Sequence, residues 1–131
     1  MKRKYFLIVL FLILAISLPG CGVVTDEEKV RDVIDEYFLA INDQNWDRAK
    51  SYCIYESDVY YETCLLEDYI DFLYPSVVTI NFQVDIFDIV ITGDYASAHI
   101  DGVLTIVIDD LSETYDSLGY FYLQRISNNW K

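Results

Sequence analysis

Polar and apolar positions are spaced differently in the two halves of the chain, and the first half shows helical spacing. From residue 30 to residue 41, apolar side chains recur every three or four positions with charged side chains between them. This spacing is typical of an amphipathic helix that buries one face. Thr25 and Glu28 form the pattern of a capping box just before it, so the helix is predicted to begin after Thr25.

Two more helices are predicted before Pro75. A polar turn over residues 42 to 45 is followed by a short amphipathic segment that starts at Trp46. Thr63 has the character of an N-cap for the third helix, and Pro75 is expected to stop that helix. Residues 54 to 62 mix tyrosines with acidic residues and fit either a loop or a short strand.

From residue 77 the apolar spacing changes to two, which is the period of a half-buried strand. Near Phe87 and Asp88 the apolar residues change from even to odd positions. One residue inserted into the strand would cause this change. We therefore predict a β-bulge there that bends a long first strand. Gly93 and Asp94 indicate a turn into the second strand.

Residues 109 to 119 are predicted to form a polar connection, and residues 120 to 126 to form a third strand. Strands joined by short returns pair antiparallel, and three helices precede them here. The pattern therefore predicts the α+β class, with three N-terminal helices packed on a curved antiparallel sheet.

The first twenty residues do not belong to this pattern. Residues 2 to 4 are basic, residues 5 to 16 are all apolar, and residues 17 to 22 read "SLPGCG". This order is the three-part layout of a bacterial export signal. The apolar run is shorter than the roughly 20 residues that a spanning helix needs, which favours removal of the segment over its retention.

The end of this segment, Leu18-Pro19-Gly20-Cys21, resembles the lipobox of bacterial lipoproteins. The resemblance implies cleavage between Gly20 and Cys21 and attachment of a diacylglycerol to the Cys21 thiol. Acyl chains of the palmitate type would then hold the protein on the outer side of the cell membrane, because two chains give stable anchoring.

The expected organisation is a signal peptide over residues 1 to 20, a lipidated tether over residues 21 to 24, and one domain over residues 25 to 131. Two alternatives remain open at this point. The segment could be an ordinary secretory signal that is cut near a cysteine, or an uncleaved N-terminal helix.

The charge of the chain limits its partners. All 22 acidic residues follow Cys21, and without residues 1 to 20 only 6 basic residues remain, which leaves a net charge of −16. A field of this sign repels phosphate groups. No nucleic-acid partner is therefore expected, and membrane attachment has to rest on the lipid.

Cys53 and Cys64 remain once Cys21 is assigned to the lipid. Outside the cytoplasm such a pair can persist as a disulfide, which we predict here, and two buried thiols are the alternative. No metal is expected. No second Cys or His lies between these cysteines at ligand spacing, His99 is predicted to lie on a polar strand face, and the acids of residues 109 to 116 do not match a calcium loop.

Three segments carry a resemblance to a known superfamily. They are "YFLAINDQNWDRAKSYC" at 37 to 53, "IVITGDYASAHI" at 89 to 100 and "YFYLQRISNNWK" at 120 to 131. In this order they resemble the nuclear transport factor 2-like proteins, which include the SnoaL-like and ketosteroid-isomerase-like groups. The resemblance implies a cone in which a curved sheet wraps around the first helix and leaves a pocket at its wide end.

This superfamily does not fix a function, since one fold supports isomerases, dehydratases and plain binding modules. An isomerase or dehydratase would need an acid beside a tyrosine inside the cone. The candidates for pocket residues are Tyr37, Tyr52, Tyr55 and Asp88. Because no catalytic set converges in the sequence, we expect a non-catalytic module without a cofactor that binds a small apolar ligand or a protein. A homodimer formed through the outer face of the sheet is the third hypothesis.

The lipid anchor has a direct test. We expect mass spectrometry of the purified mature protein to find Cys21 at the N-terminus with a diacylglycerol attached. A mature N-terminus in which Cys21 carries no lipid would refute the anchor.

Overall fold

The computed structural model describes residues 22–131, in which three helices precede four antiparallel strands. The helices are α1 (Asp26–Asn42), α2 (Trp46–Ser51) and α3 (Asp58–Phe72). The strands are β1 (Val78–Thr92), β2 (Tyr95–Ile108), β3 (Leu111–Ile126) and β4 (Asn129–Trp130), and they form one sheet in the order β1-β2-β3-β4. The α+β class is confirmed.

The proposed signal peptide and Cys21 lie outside the described residues. Across residues 22–131, no helix is both long enough and apolar enough to cross a membrane.

Helix α1 begins where the sequence predicts. The Thr25 hydroxyl accepts a hydrogen bond from the Glu28 backbone N–H, and the Glu28 carboxylate accepts one from the Thr25 N–H at 2.7 Å. This capping box satisfies two N–H groups that a helix start otherwise leaves unpaired. One face of α1 then buries Val30, Ile34 and Phe38 against the sheet.

The predicted start of the third helix is wrong. Helix α3 begins at Asp58, with Ser57 as its N-cap, and Thr63 lies buried inside the helix. The Thr63 hydroxyl donates to the Val59 carbonyl at 2.7 Å, one turn earlier. A threonine hydroxyl bonded in this way is satisfied within a helix, so it does not mark an N-cap.

The predicted polar connection over residues 109 to 119 is also wrong. Asp109 and Asp110 alone form the turn, with Asp109 at a φ of 53°, and β3 starts at Leu111. The pairing of β2 with β3 is unbroken from Ile108 opposite Leu111 to Tyr95 opposite Gln124. Residues 111 to 120 are exposed, so their polarity reflects a solvated strand and not a loop.

The predicted β-bulge is confirmed. The register between β1 and β2 shifts between Phe87 and Val90, and Asp88 adopts a φ of 52°. The inward-facing apolar positions therefore change from even to odd numbers, from Ile86 to Ile89. An inserted residue of this kind increases local twist and bends the strand.

The concave face of the sheet holds α1 in a close fit. Ala96, Ala98 and Ile100 of β2 are buried against the helix. Gly102, further along β2, leaves room for a ring of β1, because a Cβ at this position would lie 3.1 Å from the Phe82 side chain and 3.3 Å from the Gln83 carbonyl oxygen. Small residues on the central strand thus allow large side chains from both sides to meet.

Strand β1 is one edge of the sheet, and polar side chains at and after α1 bind its carbonyl groups. Arg31 donates to the Ile86 oxygen at 2.8 Å, Asn42 to the Phe82 oxygen at 2.9 Å and Gln44 to the Val78 oxygen at 2.8 Å. The Asn42 side chain also accepts a hydrogen bond from the Phe82 N–H. These bonds cover an edge that would otherwise be open to pairing with another chain.

We expect Asn42→Ala to lower the free energy of unfolding by about 1 to 3 kcal/mol, because it leaves both polar groups of Phe82 without a partner. Chemical denaturation measures this loss. The matched control is Asn81→Ala, at an exposed position next to Phe82, where we expect a change within about 0.5 kcal/mol. Equal losses in the two variants would contradict the role given to Asn42.

Candidate functional site

A cavity of about 420 Å³ opens between α1, the start of α3 and the end of β3. We call it the mouth. Its apolar lining includes Val33 and Ile34 from α1, Val59 from α3, and Phe121 and Leu123 from β3. Aliphatic and aromatic side chains with a few polar groups are typical of sites for small molecules.

A second cavity, of about 320 Å³, adjoins the mouth and is called the second chamber here. Tyr37, Val59, Glu62 and Phe121 line both cavities. The Tyr37 ring lies 6.1 Å from the Phe121 ring, centroid to centroid. This pair therefore lies where the two cavities meet.

Tyr37 was predicted as a pocket residue, and the structure places it in the wall of the mouth. Its hydroxyl lies 3.0 Å from the Thr63 hydroxyl, which itself donates to the Val59 carbonyl. The Tyr37 hydroxyl is therefore the donor in the first of these bonds. Burial raises the pKa of Tyr37 to about 12, so the phenol is neutral at ordinary pH. Its proton is donated to the Thr63 hydroxyl.

Cys53 lies next to this chain of hydrogen bonds. Its thiol donates to the Ala49 carbonyl at 3.5 Å, and its sulfur lies 4.0 Å from the Thr63 hydroxyl. Burial raises the pKa of the Cys53 thiol. The predicted disulfide is wrong: Cys53 and Cys64 are both free thiols, because the Cys53 sulfur faces Ala49 and Thr63 instead of a partner sulfur.

The other two predicted tyrosines have different surroundings. Tyr52 lines the mouth, and its hydroxyl lies 3.5 Å from the Glu36 carboxylate, which also forms an ion pair with Arg48. Tyr55 is 71% exposed and packs edge-on against Tyr60, with ring centroids 5.1 Å apart. Tyr52 therefore forms part of the polar rim, whereas Tyr55 does not line the mouth.

Asp88 does not line the mouth either. Its side chain is 76% exposed at the bulge, and its carboxylate lies 4.0 Å from the His99 imidazole. His99 is on the outer face of the sheet, where its ring stacks on Tyr120 at 4.6 Å and contacts Phe87 at 4.3 Å. The expectation that Asp88 supplies an interior acid is thus wrong, because the bulge turns this residue to solvent.

The acids that do line the mouth are Asp58 and Glu62, and both are exposed. Neither one forms a hydrogen bond with the Tyr37 hydroxyl, whose one hydrogen bond among the described residues is to Thr63. Within residues 22–131, no group of three or more His, Cys, Asp or Glu side chains is placed to hold a metal ion. The mouth therefore offers apolar contact and a polar rim.

Sequence reasoning missed Thr63, Phe121 and Lys131 as lining residues. The alternation of β3 already places Phe121 and Leu123 on one face, which is a signal for the inner wall. No pattern signals Lys131, since it reaches the mouth only through the pairing of its backbone with Gln124.

Comparison with known proteins finds similarity at the level of structure. No family model matches the sequence, and no curated protein matches it. A solved structure from Novosphingobium aromaticivorans, named a "putative aromatic ring hydroxylase", superimposes with a TM-score of 0.63 and 14% identity over 81% of this chain and 82% of that one. The fold is the nuclear transport factor 2-like cone. The order of elements that the three sequence segments implied is confirmed. At 14% identity, the similarity to this structure concerns the fold alone.

The raised pKa of Tyr37 predicts that the stability of the cone depends on pH. The pKa is near 10 in the unfolded chain and about 12 in the folded one, so the folded state holds the phenol proton more tightly. We therefore expect the stability contributed by this group to be complete below pH 10 and to be lost as the pH rises from 10 to 12.

Denaturation at several pH values measures this loss. Tyr37→Phe should weaken the fall in unfolding free energy between pH 10 and 12, and Tyr55→Phe, at an exposed position, should leave it unchanged. An identical fall in Tyr37→Phe and the parent protein would show that another group is responsible.

Proposed function

We propose that this protein is a lipid-anchored, extracytoplasmic lipoprotein whose mouth binds a small apolar molecule without chemical turnover. The observation that carries the binding part is the mouth of about 420 Å³ with the second chamber of about 320 Å³ beside it. Cavities of roughly 300 to 1,000 Å³ with a largely apolar lining are the usual size for small-molecule sites.

The state of the polar groups supports the absence of turnover. A general base needs a pKa tuned by burial or by a neighbour and a place within hydrogen-bond reach of the substrate proton. Asp58 and Glu62 are exposed, and the phenol of Tyr37 already donates to Thr63. An isomerase or dehydratase, the alternative that pairs an acid with a tyrosine, finds little support in this arrangement.

The sequence of residues 1 to 21 and the start of α1 support the anchor. Helix α1 begins at Asp26, so only residues 22 to 25 separate Cys21 from the folded part. Four extended residues span at most about 14 Å. A lipid on Cys21 would hold the cone beside the bilayer, where apolar molecules are concentrated.

Homodimer assembly is the second candidate. A run of exposed apolar side chains on the outer face of β1 and β3 favours it, namely Phe87, Val90, Leu118, Tyr120 and Tyr122. Leu118 is 71% exposed and Tyr122 is 77% exposed. Clustered exposed apolar groups often mark interfaces. A strictly monomeric protein in sedimentation at high concentration would rule out this candidate.

We expect N-phenyl-1-naphthylamine, a neutral apolar dye, to bind the purified protein with an increase in fluorescence. Val59→Phe should weaken this binding about tenfold, because Val59 lines both cavities and the larger ring fills them. Val90→Phe is the control, since Val90 is 58% exposed on the outer face and should leave dye binding unchanged.

Circular dichroism and thermal unfolding establish that both variants are folded before dye binding is compared. Equal dye affinity in a folded Val59→Phe variant and in the parent would place the dye outside the mouth. No binding at all would refute the proposal.

A further inference from the structure

Among the described residues, Lys131 differs from every other basic residue. Five cations each have a carboxylate oxygen within 4.0 Å, namely Lys29, Arg31, Arg48, Lys50 and Arg125. No ion pair within that distance is formed by Lys131 in residues 22–131. It is the sixth and last basic residue after Cys21, in a stretch that carries 22 acids.

The position of Lys131 is set by strand pairing. Its N–H donates to the Gln124 carbonyl at 3.1 Å, and its own carbonyl accepts from the Gln124 N–H at 2.9 Å. The preceding residue, Trp130, is 4% exposed and packs in the main core. The backbone at Lys131 is therefore held in place between a buried indole and β3.

The Lys131 side chain is half-buried and lines the mouth. It also lines two shallower clefts beside α2, one with Tyr52 and one with Cys53 and Ile54. Burial is the main influence on the Cys53 thiol and raises its pKa, while the positive charge of Lys131 acts in the opposite direction. Lys131 thus lies where the mouth meets these two clefts, and it shares the lining of the mouth with Cys53.

The remaining lining of the mouth determines what could pair with this cation. Val33, Ile34, Phe121 and Leu123 supply apolar surface next to it. Asp58 and Glu62 also line the mouth and would repel a second negative charge, as would the net charge of the whole protein. A ligand with one anionic group on an apolar body fits the single cation, the apolar lining and the repulsion of further negative charge.

We propose that Lys131 binds the carboxylate of an amphipathic monocarboxylic acid whose apolar body occupies the mouth. This inference rests on the proposed binding function and names the ligand class of the same site. A charge-assisted hydrogen bond from an ammonium to a carboxylate orients the ligand, and the apolar lining supplies most of its contact.

The test compares decanoate with 1-decanol as competitors of N-phenyl-1-naphthylamine on the purified protein. The two competitors share one chain and differ in the charge of the head group, so the ratio of their affinities isolates the effect of the carboxylate. We expect Lys131→Gln to lower the decanoate-to-decanol affinity ratio about two- to fivefold, the range for a partly exposed ion pair. Lys131→Arg should keep the ratio of the parent.

Lys29→Gln is the matched control. It removes the same charge from the protein, but Lys29 does not line the mouth and its ammonium is already 3.4 Å from the Asp26 carboxylate. The ratio should therefore equal that of the parent. An equal fall in Lys29→Gln and Lys131→Gln would overturn the inference in favour of a general charge effect.

The two proposals fail in different ways. If the dye binds in the mouth but the ratio is the same in Lys131→Gln and the parent, the carboxylate site is refuted and the binding function stands. If the dye does not bind the parent protein at all, the binding function itself is refuted.

Discussion

The contact between α1 and strand β1 determines the shape of the molecule. The helix fills the concave face with Val30, Ile34 and Phe38, and the polar side chains of Arg31, Asn42 and Gln44 bind the backbone of the edge strand. Apolar burial alone is not directional, whereas these hydrogen bonds fix the position of the helix along the strand. The sheet is therefore closed on one side by its own helix.

On the opposite side of α1 the closure is incomplete, and the mouth lies there. Helix α3 is held by the bond between Tyr37 and Thr63 and by the packing of Leu66 and Ile70 on the core beside α1. Its exposed residues include Tyr61, Leu65 and Phe72. Strand β3 brings Phe121 and Leu123 to the same opening. The cone is thus tightly packed along β1 and β2 and more open between α3 and β3, which is where a ligand would enter.

Sequence patterns succeeded where one short segment contains the whole signal. The capping box of Thr25 and Glu28 and the change of apolar face at Asp88 are both local, and the structure has each of them. They failed in two other situations. The Thr63 hydroxyl bonds one turn earlier inside α3, which the residue type alone does not distinguish from an N-cap. The residues after Asp110 form a strand because β2, a separate segment, supplies their hydrogen bonds.

The site was predictable to a similar extent. Tyr37 belongs to the inner face of an amphipathic helix, so its place could be read from spacing, whereas Asp88 could not be assigned to a face without the φ angle of the bulge. Cys53 and Cys64 show the limit of an even cysteine count, since the direction of each side chain decides whether a bond can form. Lys131 reaches the mouth only after β4 has paired with β3.

The bulge at Asp88 also constrains how this chain can vary. Because it adds one residue to β1, the apolar residues before it and after it face the same side only while that extra residue is present. Many side chains are acceptable at an exposed position of this kind. Deletion of one residue there would turn Ile89 and Ile91 outward together. The strand therefore tolerates a substitution at this point far better than a deletion.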